Sequence, residues 1–243
     1  MRIGLVVVFF LAASLAAQDR VIDSNANAWV MYFGDHPVGE KWGVHLEGQW
    51  RRHNPFSDWQ QLLLRPGVNY ELSDAVTLTG GYAFIDTHRY GDFPAAARFP
   101  EHRMFQQAVV RHRVGDRLDL SHRYRLEQRF IGSAATQTAG SPEGRNWRYE
   151  NCFRYMLRGT IPLRRGSDWY AALYDEIFVN FGRNVAANVF DQNRAYAAPG
   201  RKAGSWGRIE VGYMHQLVQQ RSGRVLESNH TVQIAWFSTS PLR

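Results

Sequence analysis

The residues best able to do chemistry are arginines and glutamates spaced two apart. Between Leu118 and Phe130, the positions Asp119, Ser121, Arg123, Arg125, Glu127 and Arg129 form one unbroken polar row. Similar rows recur along the chain. Together they nominate Arg65, Glu101, Arg103, Arg123, Arg125, Glu127, Arg129, Arg148, Glu150, Arg154, Glu176, Arg194, Arg208 and Glu210 as one set. Glu47, Arg51, Glu71 and Arg158 occupy matching positions. A guanidinium is planar, permanently charged and shaped to grip a carboxylate with two parallel hydrogen bonds. Such a set does one of two things. It pairs with itself as an ion network, or its surplus arginine binds or passes anions. Glu127 is the expected hub of the network, and Glu176 a second one.

Other chemistry has thinner support. A membrane-embedded lipid hydrolase would need a serine placed for a histidine base, yet none of the nine histidines has Ser two positions on. Ser121 and His122 are adjacent, so on a strand they point to opposite faces and cannot act as nucleophile and base. Glu101-His102-Arg103 has one carboxylate and one imidazole on opposite faces, which suits a structural cluster better than acid–base or metal work. Cys152 is the single cysteine, so an intramolecular disulfide is excluded. Phosphate-binding glycine loops and zinc-type spacings are absent. No catalytic residue, cofactor site or metal ligand is assigned.

The elements that must position these rows are β-strands, because successive side chains on a strand face opposite ways. Opposite the row at 119–129 stand Leu118, Leu120, Tyr124, Leu126 and Phe130, interrupted only by His122 and Gln128. The segment is also long. A membrane-crossing strand takes about 9–11 residues, whereas an ordinary strand is nearer 5–6. Length and alternation together point to a transmembrane barrel, greasy outside and ionic inside. Lys41–Arg52 has Trp42, Val44, Leu46 and Trp50 against His45, Glu47, Gln49 and Arg51. Its two tryptophans are separated by roughly 26 Å at the usual strand rise, near the height of an apolar band once the strand tilts. Further strands are expected over Gln60–Leu72, Val76–Ile85, His102–Arg113, Asn146–Ile161, Trp169–Phe181, Val189–Ala197, Trp206–Val218 and Ser228–Ser238. In His102–Arg113 two face assignments compete, Met104/Ala108/Val110 against Phe105/Val109. Pro66 interrupts an otherwise regular row and marks a bulge or a shift of register.

Composition agrees. The mean hydropathy is −0.41 and the only long apolar run is Ile3–Ala13. That excludes a polytopic helical membrane protein, and it leaves a barrel open because alternation hides the apolar face from averages. The net charge of +7 raises nucleic acid as a partner, but no basic helix or recognised nucleic-acid motif accompanies it. Arg2, the apolar run and Ser14–Ala17 read as a signal peptide over residues 1–17, leaving a barrel over 18–243. Gln18–Asn27 is read as an irregular lead-in, with Ala28–Phe33 a short strand.

The chain resembles the domain of unknown function 2490 family, a group of bacterial outer-membrane barrels. The resemblance is carried by Arg65-Pro66-Gly67 with Tyr70, Gly81-Tyr82, Glu101-His102-Arg103 with Gln106-Gln107, the block His122–Arg129, Asp175-Glu176-x-Phe178, and Asp191-Gln192-Asn193-Arg194. It implies a fold and a location and no activity. Eleven segments are counted, yet single-chain bacterial barrels have even strand numbers. The expectation is therefore an all-β antiparallel transmembrane barrel of ten or twelve strands: either one segment, Ala28–Phe33 first, falls outside it, or a further strand completes it. The expected function is a monomeric outer-membrane barrel of a Gram-negative bacterium, structural or a narrow pore for small anionic solutes. Its partners would be outer-membrane lipids and the barrel-assembly machinery.

Overall fold

Alternation of apolar and polar side chains runs through eleven strands, and these close on themselves into one barrel. The structure is a computed structural model and describes residues 20–93, 95, 97–133 and 146–241. In chain order the strands are β1 Val21–Pro37, β2 Trp42–His53, β3 Asp58–Ser73, β4 Val76–Thr87, β5 Phe99–Val114, β6 Leu118–Gly132, β7 Trp147–Pro162, β8 Trp169–Phe181, β9 Phe190–Lys202, β10 Arg208–Gln219 and β11 Val225–Ser238. Each pairs antiparallel with its sequence neighbours, and β1 closes the barrel against β11 in parallel. Only a short 3₁₀ turn, Gly204–Trp206, breaks the all-β pattern among the described residues. The signal-peptide residues and most of the expected loop at 132–144 lie outside the described residues.

The all-β barrel agrees with the sequence reading, and the strand count of eleven lies within one of the ten or twelve expected. An odd number of up-and-down strands can close only on a parallel first–last pair, and β1 with β11 supplies it from Val21↔Val225 to Gly34↔Ser238. Ala28–Phe33 is no outlier: it is the middle of β1, which has 17 residues and absorbs most of the expected lead-in. Its inward row, Asn25, Asn27, Trp29 and Met31, is uncharged and buried, so the polarity contrast that marks the other strands is missing.

Elsewhere the phase agrees with the sequence pattern. In β5 the structure decides for Met104, Ala108 and Val110 outward, with Phe105 buried in the lumen. The outer surface carries the large apolar residues, among them Leu46, Leu64, Val68, Leu78, Phe153, Leu173, Ile177, Val211, Val232 and Ile234. Aromatic residues ring it at two heights. Near one end Trp42 packs on Tyr70 and Trp236 on Tyr32; near the other Trp50 packs on Trp59 and Phe130 on Tyr149. The first end carries the tight turns at 74–75 and 115–117, where Gly115 takes a φ of 58°. The other carries the longer connections at 88–98 and 133–146.

Pro66 now has a physical account. It faces outward in β3 with no bulge around it, since Leu64↔Phe84 and Gly67↔Gly81 keep one register on either side. The glycines are needed on the inner side. A Cβ on Gly81 would lie 2.4 Å from the Pro66 carbonyl oxygen and 2.8 Å from Phe105. Their bareness lets the Phe105 ring lie flat in the lumen over β3 and β4.

Candidate functional site

At mid-height the inward rows of β2, β3, β5, β6, β7 and β8 meet in one ionic layer. Glu127, fully buried on β6, is its centre. One carboxylate oxygen accepts from Arg154 Nη1 at 2.7 Å, with Arg65 Nη2 at 3.4 Å and Arg125 Nη1 at 3.7 Å. The other accepts from Arg103 Nη1 at 2.7 Å. One carboxylate thus faces four guanidiniums. The layer extends through shared arginines. Arg154 donates from Nε and Nη2 to Glu176 at 2.9 and 2.8 Å, and Arg123 reaches the same oxygen at 2.7 Å. Arg103 also grips Glu101 bidentately, at 2.8 and 2.9 Å, while Arg129 reaches Glu101 at 2.6 Å and Asp191 at 3.3 Å. Arg65 pairs with Glu47. Arg125 lacks a close carboxylate and donates instead to Gln107 at 2.8 and 2.5 Å.

Aromatic faces complete the layer. The Arg65 and Arg125 guanidiniums lie 5.4 and 5.1 Å from the centre of Phe105, and Arg154 lies 4.1 Å from Phe178. Arg51 and Arg194 sit 3.9 and 5.2 Å from Trp29. Among the described residues neither of these two has a carboxylate within ion-pair reach, so a ring face and amide oxygens hold each charge. A cation over a ring is stabilised by about 0.5–2 kcal/mol.

The remaining nominated residues lie apart from this layer. Arg148 and Glu150 pair at 2.6 Å toward the long-connection end, where Arg221 joins Glu150 at 2.7 Å. Arg208 and Glu210 stand 3.9 Å apart toward the tight-turn end, where Arg158 and the Tyr170 hydroxyl, at 2.7 Å, take the glutamate. Trp29, Phe105 and Phe178, the three aromatic shelves, are not distinguished as lumen residues by the sequence pattern. Phe105 shares its row with Arg103 and Gln107, and that phase together with the glycines at 67 and 81 was the available signal.

The layer divides the lumen into two cavities. The larger, about 670 Å³, opens toward the tight turns and is walled on one side by Met31, Tyr174, Tyr196 and Phe237. The smaller, about 220 Å³, lies toward the long connections and is lined by Arg51, Glu101, Arg148 and Glu227 among others. Tyr90, from the 88–98 connection, dips into it, donates to Glu227 at 3.4 Å, and has its phenol pushed up by burial and by that carboxylate. Trp29, Gln49, Arg154 and Arg194 border both cavities, so the partition is thinnest there. No cluster of potential metal ligands occurs among the described residues.

The family model described as "Protein of unknown function (DUF2490)" matches residues 26–227. The chain belongs to the DUF2490 family. An uncharacterized protein of Methylorubrum extorquens is 31% identical over 202 residues, covering 79% of this chain and 78% of that one. No solved structure matches. Within this DUF2490 barrel the stretches that carry the resemblance converge: Arg65, Gly67, Gly81, Glu101, Arg103, Gln107, Arg125, Glu127, Glu176, Phe178 and Arg194 all belong to the ionic layer or line its shelves. The outward members pair as well. Gln106 and Gln128 exchange amide hydrogen bonds at 3.2 and 3.1 Å, and Asn193 donates to Asp175 at 3.0 Å.

Proposed function

We propose that this protein is an outer-membrane barrel of a Gram-negative cell whose lumen is closed at mid-height by its own ion network. It acts as a structural barrel, or as an anion pathway that opens only when the layer rearranges. The observation that carries this reading is the inverted polarity. Apolar side chains and two aromatic rings cover the outside, while Glu47, Glu101, Glu127, Glu176 and their arginines are buried inside. A water-soluble barrel gains nothing from such an exterior, whereas hydrocarbon demands it. The export signal read over residues 1–17 fits the same location. Packing at the centre of the layer supports closure, because Glu127 is 0% exposed and Arg125 2% exposed.

Fractionation tests the location. The mature chain should sediment with outer membranes, resist extraction by high salt or alkali, and need detergent to stay in solution. A monomer that stays soluble in plain buffer would overturn the membrane reading. Among the described residues the lipid-hydrolase alternative finds no matching geometry: His215 meets Ser228 at 2.9 Å, but both stand on the outward rows, and no carboxylate there meets the other nitrogen of that ring.

A further inference from the structure

We propose that the larger cavity is a binding site for an amphipathic anion, an oxyanion head such as a carboxylate or phosphate monoester carried on an apolar tail. The inference rests on the closed-lumen reading, because only a partition at mid-height makes this space a blind pocket. At about 670 Å³ it falls within the usual range of small-molecule sites, about 300–1,000 Å³. Its two sides differ in chemistry. One is a largely apolar shelf from β1, β8, β9 and β11, interrupted at β10 by Glu210, which the Tyr170 hydroxyl caps at 2.7 Å. Tyr174 stacks on Tyr196 at 4.6 Å and Phe33 on Phe237 at 5.0 Å, with Met31 and Ala235 between. The other side, from β5 and β6, presents Arg111 and Arg123. They stand diagonally across the ladder, since Val109 pairs with Arg123 and Arg111 with Ser121. Diagonal neighbours on one sheet face lie about 7–8 Å apart, within the span two long side chains need to meet on one head group.

Arg111 has charge to spare. Its Nη1 donates to the Thr77 hydroxyl at 2.7 Å, and among the described residues no carboxylate lies within ion-pair distance of it. Two acids lining this pocket are engaged elsewhere: Asp35 with His45 and Asn69, both at 2.7 Å, and Asp119 with Arg113 at 2.6 Å. An oxyanion held by the free Arg111 fork and the outer edge of Arg123 would place its tail across the pocket on the Tyr174–Tyr196 shelf. Head and tail requirements are therefore met by opposite walls of one cavity.

The test is calorimetric titration of the full mature barrel in lipid nanodiscs, with empty nanodiscs subtracted. The probes are octanoate, octyl phosphate and octanol. One saturable site per chain is expected for at least one of the two anions, and whichever binds more tightly identifies the head. Octanol should bind about tenfold more weakly or worse, the cost of losing a charge-assisted hydrogen bond. Arg111→Gln should weaken the anion by a similar factor, and Ala235→Phe, which fills the shelf side, should abolish binding. Arg148→Gln, at the far end of the barrel, should change nothing. Equal affinity for octanol, an Arg111→Gln variant that binds normally, or the absence of any saturable site would each overturn the proposal. Thermal unfolding of each variant separates a lost site from a lost fold. If the protein proves soluble without lipid, the same titration is run in buffer, so a failed membrane reading and a failed ligand site give different results.

Discussion

The two halves of the lumen wall obey the same alternation and are filled in opposite ways. On β2, β3, β5, β6 and β7 the inward rows are rich in arginine and glutamate, joined through Glu127, Glu101 and shared guanidiniums, while β4 between them turns only Thr, Gly, Ala and Ile inward. From β8 round to β1 they are largely Tyr170, Tyr174, Tyr196, Met214, Met31 and Trp29, with Glu210 and Gln233 taking the tyrosine hydroxyls. The ionic half depends on every partner being present, because a buried charge that loses its counter-charge is costly. The aromatic half depends on volume, which tolerates exchange of similar shapes. One side is specified by identity and the other by size.

Isosteric changes should break the halves apart. The largest effect is expected for Glu127→Gln, which keeps the shape and leaves four guanidiniums facing an uncharged amide. Removing one partner of a buried pair costs about 3–5 kcal/mol, to be read from denaturant unfolding of the refolded barrel. In the aromatic half, Met31→Leu keeps volume at a buried position and should cost less than about 1.5 kcal/mol. Equal losses would erase the distinction drawn between the halves. Gly81→Ala should fall between them, at about 1–3 kcal/mol, because the added methyl meets the Pro66 carbonyl and the Phe105 ring that shelves Arg65 and Arg125. The smallest effect is expected for Tyr196→Phe, which removes only a 3.4 Å hydrogen bond to Glu210, worth about 0.5–1.5 kcal/mol.

That asymmetry also decides what could be read from the sequence. Where inward rows are charged, as at Arg123–Arg129 or Glu47–Arg51, alternation betrays both the strand and its phase, and the barrel class follows from strand length. Where both rows are apolar, phase disappears. In β5 the stretch Ala108–Val110 offers no contrast, and in β1 the inward Trp29 and Met31 look like outward residues. β1 therefore reads as the segment easiest to leave out when an even strand number is expected. Parallel closure of β1 on β11 is a property of the whole ring, and no local pattern encodes it. The members of the ionic layer were legible as a row, but their partners were not. Pairing of Glu127 with Arg65, 62 residues away, depends on a curvature that brings β3 and β6 within reach across the lumen. The aromatic shelves and the division of the lumen into two cavities follow from three-dimensional filling alone.

The partition is the central claim, and ion conductance through single barrels in planar lipid bilayers tests it most directly. The account predicts no steady current for the wild-type protein, and an anion-selective current for Trp29→Ala, which removes the ring common to both cavities and held between Arg51 and Arg194. A steady ohmic current through the wild-type barrel would contradict it.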